Sequence, residues 1–243
     1  MPELVEQWRE GPVCVLRLAR ERKLNAISRQ MERALCKALV APELREAGAV
    51  VICGSDRAFS AGADVNELGG SPEQIVDYYG ESGDFAERFA DLPQPTLAAI
   101  SGWCLGGGLE LALAADFRIA DQRAVFGFPE VGLGILPSSG GTLRLVRAVG
   151  PARAKELILL RDRIDAEEAH RLGLITEVTS SGAVLARALE HARRLAALPG
   201  LAAQLSKRAI DLVAESPRGA ALELERLAYG LLAQTQTVRG GMG

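Results

Sequence analysis

The sequence predicts an α/β fold with a helical C-terminal module. Three observations carry that prediction. Short apolar runs of strand type alternate with helical patterns over the first three quarters of the chain. A unit of strand, glycine-rich loop and helix occurs at 49–68 and recurs at 96–115. From about Gly182 onward the pattern is helix only, broken at Pro199-Gly200 and at Pro217.

Taken in order, "LVEQWRE" and "VCVLRLA" read as two strands around a Gly11-Pro12 turn, a hairpin. Ser28 caps a helix through "RQMERALCKAL", in which Met31, Leu35, Ala38 and Leu39 share one face. "AVVICG" is a buried strand and "SDRAFSAGAD" a loop of small residues. "SPEQIVDYYGESGDFAERFADL" reads as a helical arm with Ser71 as cap and Pro72 at its first position. "PTLAAISG" is the next buried strand and leads through glycines into the helix "LELALAA". "FRIAD" and "AVFGF" are short strands. Beyond Pro137 come the helices "GTLRLVRAV", "ARAKELILL" and "DAEEAHRLG", then a last strand, "LITEVT".

A chain of 243 residues, 48% of them hydrophobic, can bury a core as one domain with an appendage or as two small domains. The 28 basic and 31 acidic residues leave a net charge of -3, which gives no electrostatic footprint for nucleic acid and no basic patch for a membrane surface. The apolar runs fall short of a bilayer span. The N-terminal "MPELVEQWRE" lacks the basic-then-apolar order of a signal peptide, so a cytoplasmic location is expected. Cys14, Cys36, Cys53 and Cys104 form no CxxC and read as reduced, buried thiols, with no metal site expected. His170 and His191 are the chain's two histidines, so chemistry that needs a histidine base has few candidates.

Candidate chemistry gathers on two small-residue turns and two acids. "SAGAD", with Asp64 as N-cap, precedes "VNEL", and the second turn is "GGGLEL". Glycine allows close backbone approach, and a helix start leaves free N–H groups with partial positive charge. Two such turns facing one point would form an oxyanion hole. Either one alone also reads as a plain tight turn. "GGGLEL" lacks the GK[ST] of a P-loop, and "GLGILPSSGG" lacks a third glycine at the dinucleotide spacing. Glu110 lies among Leu109, Leu111 and Leu113, and Glu130 lies in "FGFPEVGLG". Apolar surroundings raise a carboxyl's proton affinity and suit it to acid–base work. A helix-dipole partner or a structural ion pair remains an alternative for each. "GWCLG" fits G-x-C-x-G, a thiol nucleophile on a strand-to-helix elbow, or else a buried Cys104 on a tight turn.

"RAFSAGADVNEL", "GWCLGGGLELALAADFRIA" and "FGFPEVGLGILPSSGGTLRL" together resemble the enoyl-CoA hydratase/isomerase (crotonase) family. "KLNAIS" matches that family's CoA-side motif, and "RIDAEEAHRLGLITEV" matches the segment entering its trimerisation region. The resemblance runs from about residue 4 to about 240, in order and in register. It implies a crotonase-like spiral of ββα units as catalytic core over 1–184 and a helical trimerisation module over 185–243, assembling as a homotrimer or a hexamer. It implies that the thioester carbonyl sits between the N–H groups of Ala63 and Gly107. Glu110 and Glu130 match the two glutamates of the hydratases, which bind and activate one water for addition to C3 of a 2-enoyl-CoA. Having both favours hydration. A Δ3,Δ2-enoyl-CoA isomerase and a non-catalytic trimeric scaffold or RNA-binding relative are the alternatives. No cofactor is implied beyond the coenzyme A carried by the substrate, and no metal.

The same resemblance places Arg22, Lys23 and Arg57 near the CoA phosphates and the backbone of Leu24 and Ala26 on the adenine side. Ala61, Gly62, Asp64, Val65, Leu68, Gly106, Pro129, Leu133 and Ser138 then complete the substrate surface. Three departures stand out. "PSSGGT" replaces the family's "PGAGGT", so Ser138 offers a backbone N–H to water, or Ser138 and Ser139 act as helix caps. Asn66 stands where some hydratases carry a lysine. "QTQTVRGGMG" stops where relatives continue into an element that lids the acyl pocket, so a changed pocket roof is expected. Tyr78, Tyr79 and Phe85 either close a short acyl pocket or simply pack.

Overall fold

The computed structural model describes residues 3–67, 71, 84–160, 163–213 and 216–234. Among these, strands β1 (Val5–Glu10) and β2 (Val13–Leu18) form the expected hairpin, turning at Gly11 with φ 62°. Helix α1 (Arg29–Leu39) begins where Ser28 Oγ accepts the Met31 N–H, and it buries Met31, Leu35 and Leu39. A further short helix, α2 (Pro42–Arg45), follows.

The strands then alternate between two sheets. β3 (Ala49–Cys53), β5 (Thr96–Ile100), β7 (Phe117–Asp121) and β10 (Glu177–Thr179) extend the hairpin into a sheet ordered β1-β2-β3-β5-β7-β10, parallel from β2 onward. β4 (Ala58–Ser60), β6 (Trp103–Leu105), β8 (Val125–Gly127) and β9 (Ile164–Asp165) form the second sheet in that order. Each turn of the spiral gives one strand to each sheet. The all-buried runs "AVVIC" and "TLAAI" are what a parallel sheet covered on both faces requires.

β4 and β6 correct the sequence reading, which took 55–64 as loop and ran "PTLAAISG" straight into glycines. Three residues are too few to show an alternating pattern. The two strands exist because they pair in parallel with each other and with β8.

The sheet's faces bury alternate residues. Cys14, Leu16, Leu18, Val50 and Ile52 enter one core with α1, while Val13, Val15, Ala49 and Val51 enter another. Helix α7 (Val184–Ala196) covers the second face with Val184, Ala188 and Ala192. This helix begins at the expected 184/185 boundary and packs on the spiral. Helices α8 (Gly200–Val213) and α9 (Arg218–Leu232) pack on each other. Lys207 ties α8 to the spiral, with Nζ 3.0 Å from Asp116 Oδ2 and donating to the Gln94 carbonyl at 3.2 Å.

The remaining helices are α3 (Phe85–Ala90), α4 (Gly107–Leu113), α5 (Gly141–Lys155) and α6 (Ala166–Arg171). α5 breaks at Gly150 (φ 77°, ψ 163°) ahead of Pro151, the split expected between "GTLRLVRAV" and "ARAKELILL". Of the expected arm, residues 72–83 lie outside those described, with Tyr78 and Tyr79. Phe85 is buried in α3. Among the described residues no helix is long and apolar enough to cross a membrane. No group of three or more His, Cys, Asp or Glu among them is arranged to hold a metal ion.

Candidate active site

Parallel pairing of β4, β6 and β8 brings their C-terminal ends together. Three segments leave there side by side: Ala61–Asp64 after β4, Gly106 and α4 after β6, and Phe128–Glu130 after β8.

The first segment is laced to residues 20–28. Ala61 N–H donates to Leu24 O (2.9 Å), Ile27 N–H to Gly62 O (2.8 Å) and Asp64 N–H to Ile27 O (2.8 Å). Asn25 fixes that stretch from inside, fully buried and left-handed at φ 53°. Its Oδ1 accepts the Arg20 N–H at 2.8 Å, its Nδ2 donates to Ala58 O at 2.9 Å, and its carbonyl accepts from Ser60 Oγ at 2.8 Å. Asp64 pairs with Arg20 Nη1 at 2.7 Å and accepts the Asn66 N–H at 3.2 Å. The Arg20 bond first, then Asn66, hold its carboxyl below the usual range. Asp64 thus caps its turn as expected, and its charge is spent on structure. The Ala63 N–H donates to no group among the described residues, and Ala63 is exposed.

The second segment faces the first. A methyl group on Gly62 would lie 3.6 Å from Gly107 N, and one on Gly107 would lie 3.6 Å from Ala63 N and 3.9 Å from Glu110 Oε2. The space before Gly107 is therefore bounded by both amides and a carboxylate. Gly106 adopts φ 50°, and a Cβ there would come 2.6 Å from Glu130 Oε1. The two glycines let both acids close on one point.

Glu110 is 4% exposed and Glu130 is 7% exposed. Glu110 Oε1 accepts the N–H groups of Ser139 (2.7 Å) and Gly141 (2.9 Å). Burial pushes the Glu110 carboxyl up, opposed by those two amides and by the charge of Arg144. Glu130 Oε2 finds no hydrogen-bond partner among the described residues. Burial pushes Glu130 up to about 7, its own N–H pulls it down, and the Glu110 charge adds to the rise. Burial raises both carboxyls, but they are unequally placed: two backbone amides oppose the rise at Glu110, while Glu130 Oε2 has no donor among the described residues.

Other candidate residues divide. Pro129 and Leu133 flank Glu130 on its 3-10 turn, Leu133 being exposed. Val65 is exposed beside Asp64, and Leu68 lies outside the described residues. Leu24 and Ala26 are half-buried on the laced stretch, while Arg22, Lys23 and Arg57 are exposed. Ser138 is exposed. Neither serine caps α5, since Gly140 holds the N-cap position at φ 86° with no side-chain bond. Ser139 instead turns its N–H to Glu110. Cys104 is fully buried and its thiol is pushed up by burial, which disposes of the nucleophile reading. His170 Nδ1 lies 3.3 Å from Ile175 O, and His191 Nε2 lies 2.9 Å from Glu177 Oε2, both at the α6, α7 and β10 side. Gly141 and Arg144 were not singled out from sequence, where Ser139 reads only as a helix cap. The glycine pair ahead of a helix was the one available signal.

Beside the Glu130 turn lies a pocket of about 630 Å³ whose wall includes Leu105, Phe128, Pro129, Val131 and Ile158. Arg163 also lines it and lies 4.6 Å over the Trp103 ring.

Residues 9–243 match the family model described as enoyl-CoA hydratase/isomerase. A probable enoyl-CoA hydratase of Rhizobium meliloti (strain 1021) is 40% identical over 237 residues, 96% of this chain and 91% of that protein. A crotonyl-CoA hydratase of Syntrophomonas wolfei is 37% identical, covering 96% and 91%. The solved enoyl-CoA hydratase of Bacillus anthracis superposes with a TM-score of 0.91 at 34% identity, covering 98% of this chain and 94% of that one.

Proposed function

The chain belongs to the enoyl-CoA hydratase/isomerase family, and on that footing we propose that it adds water across the double bond of a 2-enoyl-CoA thioester. The observation that carries this reading is the unequal pair of buried carboxyls beside the Ala63 and Gly107 amides. The thioester oxygen accepts the N–H groups of Ala63 and Gly107. Glu110 takes a proton from water as the oxygen of that water bonds to C3. The π electrons shift toward the thioester oxygen, which becomes an enolate held by the two amides. Glu130, still protonated, gives its proton to C2. The product is the 3-hydroxyacyl-CoA, with Glu110 protonated and Glu130 ionised. Proton exchange restores the starting pair.

Isomerisation needs one carboxyl to carry a proton between two carbons. A second carboxyl oriented by two amides is better accounted for by a bound water. Glu110→Gln and Glu130→Gln are each expected to lower kcat on crotonyl-CoA by about 10²–10⁴-fold, read as slower loss of enone-thioester absorbance. Wild-type rates in both variants, or conversion of a 3-enoyl to a 2-enoyl thioester with no gain of a water in the product mass, would overturn the reading.

On the CoA side, the exposed Arg22 and Lys23 supply charge for the phosphates, and the Leu24 and Ala26 backbone faces the adenine. For assembly, α8 and α9 expose Ile210, Leu227, Tyr229 and Leu231, an apolar surface suited to covering by further copies in a homotrimer or hexamer.

A further inference from the structure

We propose that Arg144 is a positioning residue for Glu110: anchored on Glu87 of α3, it locks the Ser139–Gly141 turn whose amides hold the Glu110 carboxylate. The role deepens the hydratase reading and rests on it. The side chain of Arg144 is 14% exposed although it is charged. One arm of its guanidinium, Nη1, donates to the Ser139 carbonyl at 3.2 Å, and the other, Nη2, donates to Glu87 Oε2 at 2.8 Å. Ser139 is thereby used on both sides. Its carbonyl is fixed by Arg144, and its N–H points to Glu110 Oε1 at 2.7 Å. Gly140, left-handed in the middle of the turn, lies against Arg144 Nη1 so closely that a Cβ would strike it. The turn is folded around the guanidinium, so the amides that orient the carboxylate cannot swing away while Arg144 is in place.

The second part of the role is electrostatic. Arg144 makes no hydrogen bond to Glu110, and its charge favours the ionised carboxylate through space. Among the described residues, the charged groups bearing on Glu110 are Arg144 from α5 and Glu130 from the turn after β8. Glu87 acts from α3 by partly neutralising Arg144. On α5, the Arg147 charge acts through space on Asp211 of α8, and burial pushes the Cys104 thiol of β6 up. The fork geometry also explains why arginine stands here, since one ammonium cannot reach a carbonyl and a carboxylate with the same two fixed donors.

The test follows Glu110 directly and turnover separately. The side-chain carboxyl carbon of Glu110 is labelled with ¹³C, assigned by its loss in Glu110→Gln, and titrated by NMR in the full-length protein. The same proteins are assayed for crotonyl-CoA hydration across pH. Arg144→Gln is expected to move the Glu110 titration and the acid limb of kcat upward together and to lower kcat by about tenfold or more. Arg144→Lys keeps the charge and is expected to leave the titration near wild type while recovering part of kcat. Glu87→Gln, on an exposed side chain, bares the Arg144 charge and is expected to move the titration downward. It also serves where Arg144→Gln does not fold. A merely structural tie between α3 and α5 would alter stability in all three variants without these opposed shifts. An unmoved Glu110 titration in Arg144→Gln, or a shift of the same sign in Glu87→Gln, overturns the proposal. A wild-type protein that fails to hydrate enoyl thioesters, with the opposed titration shifts intact, would sink the hydratase reading and leave the positioning role standing.

Discussion

Glu130 holds its proton to about 7 in the folded chain, against 4.5 for an ordinary glutamate. Between these values the unfolded chain has released a proton that the folded chain still binds. Stability contributed at this site is therefore lost as pH rises through that window, and the penalty of a buried charge is fully present above about pH 7. A rise of that size corresponds to about 3 kcal/mol. Glu130→Gln is thus expected to raise Tm relative to wild type more at pH 8 than at pH 5, read by scanning calorimetry. A Tm difference that stays constant with pH would show that Glu130 is an ordinary surface-like acid. The same titration predicts that kcat/KM of the free enzyme falls on the alkaline side as Glu130 loses its proton, a limb that belongs to the coupled pair rather than to one residue. Cys104→Ala is expected to retain turnover, since its buried thiol touches none of the proposed chemistry. Both acids were legible as charges in apolar runs. Their unequal environments were not, because the donors to Glu110 are backbone N–H groups, which carry no residue identity.

At the scale of elements, the site depends on how closely α4 sits on β4. A Cβ on Gly108 would lie 2.6 Å from Ser60 Cβ and 2.7 Å from Ser60 O. Neither contact can yield cheaply, since Ser60 Oγ is engaged with the Asn25 carbonyl and with the Gly62 N–H at 3.2 Å. Gly108→Ala is therefore expected to cost about 1–3 kcal/mol in urea unfolding and to displace the Ala63 loop. Gly141→Ala should behave differently. Its Cβ would meet Glu110 Cγ at 2.6 Å, so activity should fall more than stability. If Gly108→Ala folds as stably as wild type, the close seat of α4 on β4 is wrong. The long buried strands and the capped α1 were readable from pattern alone. β4 and β6 were not, because a three-residue strand is defined by its neighbours rather than by its own periodicity.

At the scale of the molecule, the spiral stacks its turns so that the C-terminal ends of β4, β6 and β8 meet at one edge, and the C-terminal pair α8–α9 is held to it through Lys207 and Asp116. The apolar side chains left outward on that pair predict an assembly. Sedimentation is expected to give three or six times the 25.8 kDa of one chain, and Ile210→Asp combined with Leu227→Asp should shift it toward the single chain. A monodisperse monomer of the wild type at micromolar concentration would contradict this. The sequence by itself determined the α/β class, the order of the main elements, the two glycine turns and the two buried acids. Those follow from local pattern and from residue chemistry that short windows express. Tertiary structure alone decided that Ala63 and Gly107 face one space, that Glu110 is gripped by Ser139 and Gly141, and that Arg144 stands behind them. These are meetings of residues 29 to 57 positions apart, made by strand pairing, side chains and backbone groups. No local window records such a meeting.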